Sequence, residues 1–147
     1  MLSKIFKFYF ISFFVLAIVG AFIDDKGTSF SISSTTTKTY PVSSATYQQL
    51  NCALGCDSKF SDDKKDDIFA SDYKNHWMTW TGEIVLAEAD EASLNLDGAG
   101  IQDLKVYFNS PNAGYNLIIG DTITVKFLMK SSGGCFLSFS GDDAVIL

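Results

Sequence analysis

With 147 residues, 47% of them apolar, the chain is long enough for one compact domain plus an accessory segment and too short for several domains. Its formal net charge is −6; from Asp24 onward nine lysines face all seventeen acids, a net −8, and the sequence contains no arginine. Phosphate-binding surfaces need clustered cations, usually with Arg forks among them, so this balance argues against a nucleic-acid partner.

The first element is apolar. Lys4 and Lys7 precede an uncharged run from Phe8 to Ile23, which Asp24-Asp25 closes. Counted from Ile5, with Lys7 snorkelling, residues 5–23 approach the ~20 positions that a tilted spanning helix needs. Lysines before the run and acids after it orient the N-terminus to the cytoplasm and the rest to the far side. A cleaved signal peptide is the competing expectation, because Val19-Gly20-Ala21 offers small residues to a peptidase. The folded part is expected beyond the cytoplasmic membrane in both cases, either as a single-pass protein or as a secreted or periplasmic one. No Leu-x-x-Cys lipobox follows, and a Phe-rich run with no polar face does not read as a core helix.

Residues 24–43 are rich in Ser and Thr, including Ser33-Ser34-Thr35-Thr36-Thr37, and read as a flexible spacer with a boundary at Pro41. Residues 44–76 read as helical. Tyr47, Leu50 and Leu54 share one face of a short helix over Ser44–Leu54, at spacings of i, i+3 and i+7. A second helix starts at Ser61, a good N-cap, with Asp62-Asp63 in the first turn, where the dipole favours anions. Ile68, Phe69 and Tyr73 form its apolar stripe, and Asn75 ends it. The charges of Asp62 to Asp67 lack the Gly and terminal Glu of a calcium-binding EF-hand loop and read as a solvated face.

Residues 77–147 divide into five strands. Strand one runs from Trp77 to about Ala87, with Met78, Trp80, Gly82, Ile84 and Leu86 on one face. Gly82 predicts a bulge or sharp bend, which lets one strand serve two edges of a closed barrel. Strand two spans Ala92 to Leu96, and strand three carries Leu104, Val106 and Phe108 inward. The segment from Asn109 to Gly120 has room for a helical turn plugging the barrel end. Strand four turns Ile123, Val125, Phe127 and Met129 inward. Strand five begins at Cys135, pauses at Gly141-Asp142-Asp143 and finishes at Ile146. Of Trp77 and Trp80, one is expected to fill the core and the other to cover the helix–barrel junction.

This pattern predicts a mainly β fold: a five-stranded, OB-fold-like Greek-key barrel behind one or two short helices and an N-terminal membrane helix. A small SH3-like barrel or an open sandwich is the alternative. The wording around Ile68-Phe69, Tyr73-Lys74, Trp80-Thr81-Gly82-Glu83-Ile84, Asp103-Leu104-Lys105-Val106, Gly120 to Val125 and Ala144-Val145-Ile146 resembles the tRNA_anti-like OB-fold family over residues 61 to 147. The resemblance implies the barrel and a position behind a membrane or signal segment; it implies no activity. Family members commonly carry Gly-Lys before strand one, where this chain has Asn75-His76.

An OB barrel binds on the face of strands two and three, so the expected ligand-binding residues are the outward-reading Ser93, Asn95, Lys105 and Tyr107. Tyr107 alone among them can stack on a base, and the neighbouring lip of Glu88, Asp90 and Glu91 is acidic. That surface suits an envelope protein, a peptide or a glycan better than nucleic acid. The chain has no Gly-x-Ser-x-Gly elbow and no Gly-rich phosphate loop, and its one histidine, His76, sits beside Trp77. No catalytic residue, cofactor or metal is therefore expected. Solvated turns account for the acids near the first loop, and a Cys52–Cys56–His76–Cys135 zinc set has irregular spacing. Cys52 and Cys56 stand i, i+4, an awkward geometry for bridging, whereas a disulfide between Cys56 and Cys135 would staple the helices to the barrel. The sequence alone thus predicts a non-enzymatic binding or interaction module on a membrane tether. A nucleic-acid-binding OB protein and a metal-dependent envelope enzyme are the alternatives.

Overall fold

The computed structural model describes residues 38–147. The membrane segment expected at 5–23 and the spacer as far as residue 37 lie outside the described residues. Among those described, no helix is long and apolar enough to cross a membrane.

Five strands form the body of the fold: β1 (Trp77–Ala87), β2 (Glu91–Asn95), β3 (Leu104–Phe108), β4 (Thr122–Ser131) and β5 (Phe139–Ile146). They close into a barrel in the order β1-β2-β3-β5-β4. Every neighbouring pair is antiparallel except β3 with β5. The mainly β barrel with two short helices before it is as the hydrophobic alternation predicts.

β1 makes closure possible. Met78, Trp80, Gly82 and Ile84 face the core while Thr79, Thr81 and Glu83 face outward. From Trp77 to Glu83 the strand pairs with β4, and from Glu83 to Ala87 with β2, so Glu83 opposes both Thr122 and Asn95. The β1–β4 register runs unbroken through Gly82, where a bulge or bend is expected, and the irregularity of β1 lies further on, between Ile84 and Leu86. A Cβ on Gly82 would lie 2.6 Å from both the Asn95 carbonyl oxygen and a Leu96 methyl. The missing side chain is what lets the end of β2 cross so close to β1.

At one end of the barrel the β1–β2 and β3–β4 connections hold each other. Gly114 donates its N–H to the Ala89 carbonyl (3.0 Å), and Phe108 donates to that of Asp90 (2.9 Å). The helical turn expected in this segment is absent. Successive tight turns replace it, closed by Ala113 to Ser110, Tyr115 to Asn112 and Leu117 to Gly114. Pro111 and the left-handed Asn112 (φ 62°) interrupt any helical run there.

The opposite end is sealed by α1 (Tyr47–Leu54). Thr46 and Gln49 form a capping box, each side chain accepting from the other's backbone N–H, at 3.3 and 2.9 Å. Tyr47, Leu50 and Leu54 are buried, as their spacing predicts. α2 (Asp62–Ile68) runs on into a π-helical turn, Phe69–Tyr73. Ser61 occupies the N-cap, yet its side chain makes no capping bond. The exposed first turn carries Asp62 and Asp63, whose charge suits the helix dipole without it. Asn75, at φ 59°, ends the segment and donates its N–H to the Met129 carbonyl. Pro41–Ser43, assigned by composition to the spacer, run beside β1: Trp77 donates to Pro41, and Ser43 donates to Trp77.

β5 begins at Phe139 rather than Cys135, because Gly133 and Gly134 take positive φ and keep residues 132–138 a loop. The pause expected at Gly141-Asp142-Asp143 is an irregularity within the strand, with Asp143 at φ 54° and register slips on both flanking ladders. Trp80 fills the core, meeting Phe127 and Phe139 edge-on with ring centroids 5.2 and 5.7 Å apart. Trp77 stays half-exposed beneath the Lys126 ammonium.

Gly82→Ala is expected to cost about 1–3 kcal/mol, because the clashing partner is backbone and cannot swing aside. Thermal melting of the variant checks this, and an unchanged Tm would show that β2 can retreat from β1.

Candidate functional site

The β2–β3 face is less open than its alternation predicts. Ser93 and Asn95, read as outward ligand-binding positions, are only 1% and 5% exposed. Lys105 stands opposite Ser93 and reaches diagonally to Glu91, Nζ to Oε1 at 2.8 Å. Asn95 turns into the β2–β3 connection, where its Oδ1 accepts the Gly98 N–H at 2.9 Å.

Lys105 and Tyr107 do remain at the surface as expected, with the Lys105 ammonium 5.1 Å from the Tyr107 ring centroid. The hydrogen bond to Glu91, followed by that to Tyr107, holds the Lys105 ammonium above its ordinary pKa. The one cation of this face is therefore already partnered, leaving little polar capacity for a ligand. Of the four predicted residues, Lys105 and Tyr107 form a small exposed pair while Ser93 and Asn95 serve the fold.

A concave feature lies at the α1 end. A cleft of about 290 Å3 opens between α1, the β2–β3 connection and the β4–β5 loop. Its architecture rests on Asp103, which is buried just before β3. One carboxylate oxygen accepts from the Tyr47 hydroxyl at 2.8 Å, and the other from the backbone N–H groups of Leu96 (2.6 Å) and Asp97 (3.2 Å). Helix, turn and strand thus meet at one side chain. Burial first, then the hydrogen bond to Asp103 and its charge, raise the Tyr47 hydroxyl far above its ordinary pKa.

Three large apolar side chains stand around this cleft without covering: Phe136 is 99% exposed, Leu137 74% and Ile101 66%. Phe136 also borders a second hollow of about 390 Å3 against the start of α2, so the 132–138 loop forms a wall between the two. The charged side chains lining the first cleft are Asp57, Asp97 and Asp103, with no lysine among them. Sequence reasoning missed Ile101, Phe136 and Leu137. A signal was present in the adjacent large residues of Phe136-Leu137 after a Gly-Gly pair, because strict alternation cannot bury both in one strand.

All three cysteines line this cleft and are free thiols. Cys56 donates its S–H to the Cys135 carbonyl at 3.1 Å, so the pair named from sequence is brought together, unbridged. Hydrogen bonding to Cys135, then burial, pushes the Cys56 thiol pKa up. His76 lies apart at the helix–strand junction, its Nδ1 3.2 Å from the Lys74 carbonyl oxygen. Among the described residues no group of three or more His, Cys, Asp or Glu side chains is placed to hold a metal ion. No protein-family model matches the chain, and no curated protein matches it.

Tyr47→Phe tests the keystone with a defined pH signature. The raised pKa in the folded state means the tyrosine's contribution is intact below the unfolded value of about 10 and is lost as pH climbs above it. Wild-type Tm is therefore expected to fall more steeply above pH 10 than that of Tyr47→Phe. Asp103→Ala, which strands the three donors, is expected to cost roughly 2–4 kcal/mol at neutral pH, read by urea denaturation.

Proposed function

We propose that this protein is a non-catalytic binding module: an OB-like barrel, tethered to or exported across the cytoplasmic membrane by its N-terminal segment, that captures an extended peptide segment of an envelope protein. The OB-like assignment draws support from the strand order, in which β1 serves both β2 and β4 and β3 runs parallel to β5. The observation that carries the binding reading is the set of uncovered apolar side chains, Phe136, Leu137 and Ile101, beside an acid-lined cleft. Uncovered large side chains grouped around a concavity are the usual mark of an interaction site.

The chemistry of the cleft selects among partners. Apolar anchors beside Asp57 and Asp97 favour a segment that alternates apolar with Lys or Arg side chains. The same acids repel a phosphate backbone, which weighs against nucleic acid despite the barrel type. A glycan would use stacking and amide groups, and the β2–β3 face offers it only Tyr107 beside an ion pair already formed.

A fluorescent peptide alternating Leu and Lys, with a Leu–Glu peptide of equal length as control, tests the proposal by anisotropy on the full chain. Binding of the Leu–Lys peptide alone is expected, weakened about tenfold or more by Phe136→Ala with Leu137→Ser, at unchanged Tm. Equal affinity for both peptides, or no loss in the double variant, would overturn it. So would a salt-sensitive gel shift with oligonucleotides, or turnover of simple esters, glycosides or phosphodiesters.

A further inference from the structure

Cys56, just beyond the end of α1, and Cys135, in the β4–β5 loop, are 79 residues apart in sequence, yet the Cys56 sulfur lies 3.1 Å from the Cys135 carbonyl oxygen. Both are exposed, both line the cleft, and Cys135 immediately precedes Phe136 and Leu137. We propose that Cys56 and Cys135 form a reversible disulfide that locks the 132–138 loop to the α1–α2 turn and thereby controls how Phe136 and Leu137 are presented. The bridge stands on thiol geometry alone; its use as a control rests on the binding reading given above.

Three observations support the pairing. The loop partner is adaptable, since Gly133 and Gly134 adopt positive φ on the N-terminal side of Cys135 and can absorb a small approach. The two cysteines come from different elements, Cys56 from the α1–α2 turn and Cys135 from the β4–β5 loop, so a bridge would tie one to the other. Cys52 shares the cleft and would remain as the one free thiol.

The chemistry balances with a disulfide donor as oxidant. One cysteine thiolate attacks the donor's sulfur and displaces one donor thiolate, leaving a mixed disulfide. The second cysteine thiolate then attacks the protein-side sulfur and displaces the other donor thiolate. Two thiol protons and two electrons leave the protein, and the donor is reduced to two thiols. Because its neighbour holds the Cys56 thiol protonated near neutral pH, exchange is expected to be slow at pH 7 and faster at higher pH.

Oxidised glutathione is the probe, applied to the full chain, with tris(carboxyethyl)phosphine for reversal. Oxidation is expected to lower the mass by two hydrogens and leave one titratable thiol of three, mapped to Cys52. A long-range bridge of this kind should raise Tm by about 10 °C over the reduced protein. Cys135→Ser and Cys56→Ser should each abolish that rise while keeping the Tm of the reduced wild type. Three thiols surviving excess oxidant, glutathione adducts without a bridge, or an intramolecular bridge using Cys52 would each overturn the pairing. With the Leu–Lys peptide, affinity should differ several-fold between oxidised and reduced protein. Equal affinity in both states would overturn the control, whereas no binding in either state would overturn the binding reading and leave the thiol count to judge the bridge.

Discussion

One buried contact organises the α1 end of this molecule: the Tyr47 hydroxyl donating to Asp103. A barrel of five strands leaves its ends to be closed by something else, and here α1 lies across one of them. The Tyr47 ring meets Trp80 and Phe139 edge-on, both centroids 5.9 Å away, so the residue that plugs the barrel also reaches the carboxylate that shapes the β2–β3 turn. Each such aromatic pair contributes about 0.5–1.5 kcal/mol beyond area burial. A carboxylate accepting three hydrogen bonds would leave three stranded donors if removed. The Trp80 indole N–H holds the chain just before the same helix, donating to the Ala45 carbonyl at 2.9 Å. Without this plug the cleft would lose one of its walls.

The same physics explains why the conventional binding face of such a barrel is muted here. Cross-strand neighbours compete with ligands for the polar groups of an exposed sheet, and on β2–β3 the neighbours have the shorter reach. Lys105 satisfies itself on Glu91, while Asn95 serves a turn. A sheet face that binds a polyanion needs free cations, and the β2–β3 face carries the single lysine Lys105, already partnered. The α1 end differs in kind: its polar keystone is internally satisfied, and the groups it leaves uncovered are apolar or acidic.

How much of this was legible in the sequence follows from what each signal encodes. Period-two alternation encodes which face of a strand is buried, and it located all five strands, β1 and β3 to the residue. The Tyr47, Leu50, Leu54 spacing likewise encoded the buried face of α1. Alternation does not encode how closely its surroundings enclose an outward residue, so it misjudged Ser93, which is buried. Nor does it show that Asp103, an ordinary acid before a strand, meets a tyrosine 56 residues earlier. Composition assigned Pro41–Ser43 to the spacer, but two backbone hydrogen bonds to Trp77 depend on a partner that composition cannot name. Cys135 lies beside Cys56, both as free thiols, but was placed on the wrong element, because two left-handed glycines override the apparent alternation of Cys135, Leu137 and Phe139.

The magnitude of the uncovered surface sets what kind of binder the protein can be. A phenylalanine buries about 150–250 Å2, which at ~25 cal/mol/Å2 is worth roughly 4–6 kcal/mol before costs. Leu137 and Ile101, already partly covered, would each add about 1–2 kcal/mol on the same basis. Association itself costs an estimated ~4–15 kcal/mol in lost rigid-body freedom, and ordering the loop adds to that. The surplus supports weak, exchangeable contact rather than permanent assembly, unless the loop is ordered beforehand or the partner is held nearby. Both remedies are parts of the proposal. A Cys56–Cys135 bridge would settle the ordering cost before the partner arrives, and a membrane tether would raise the local concentration of partners fixed in the same envelope. On that proposal the uncovered apolar side chains, the acidic cleft and the two thiols form one device, each compensating for the limited surface that a barrel of this size can offer.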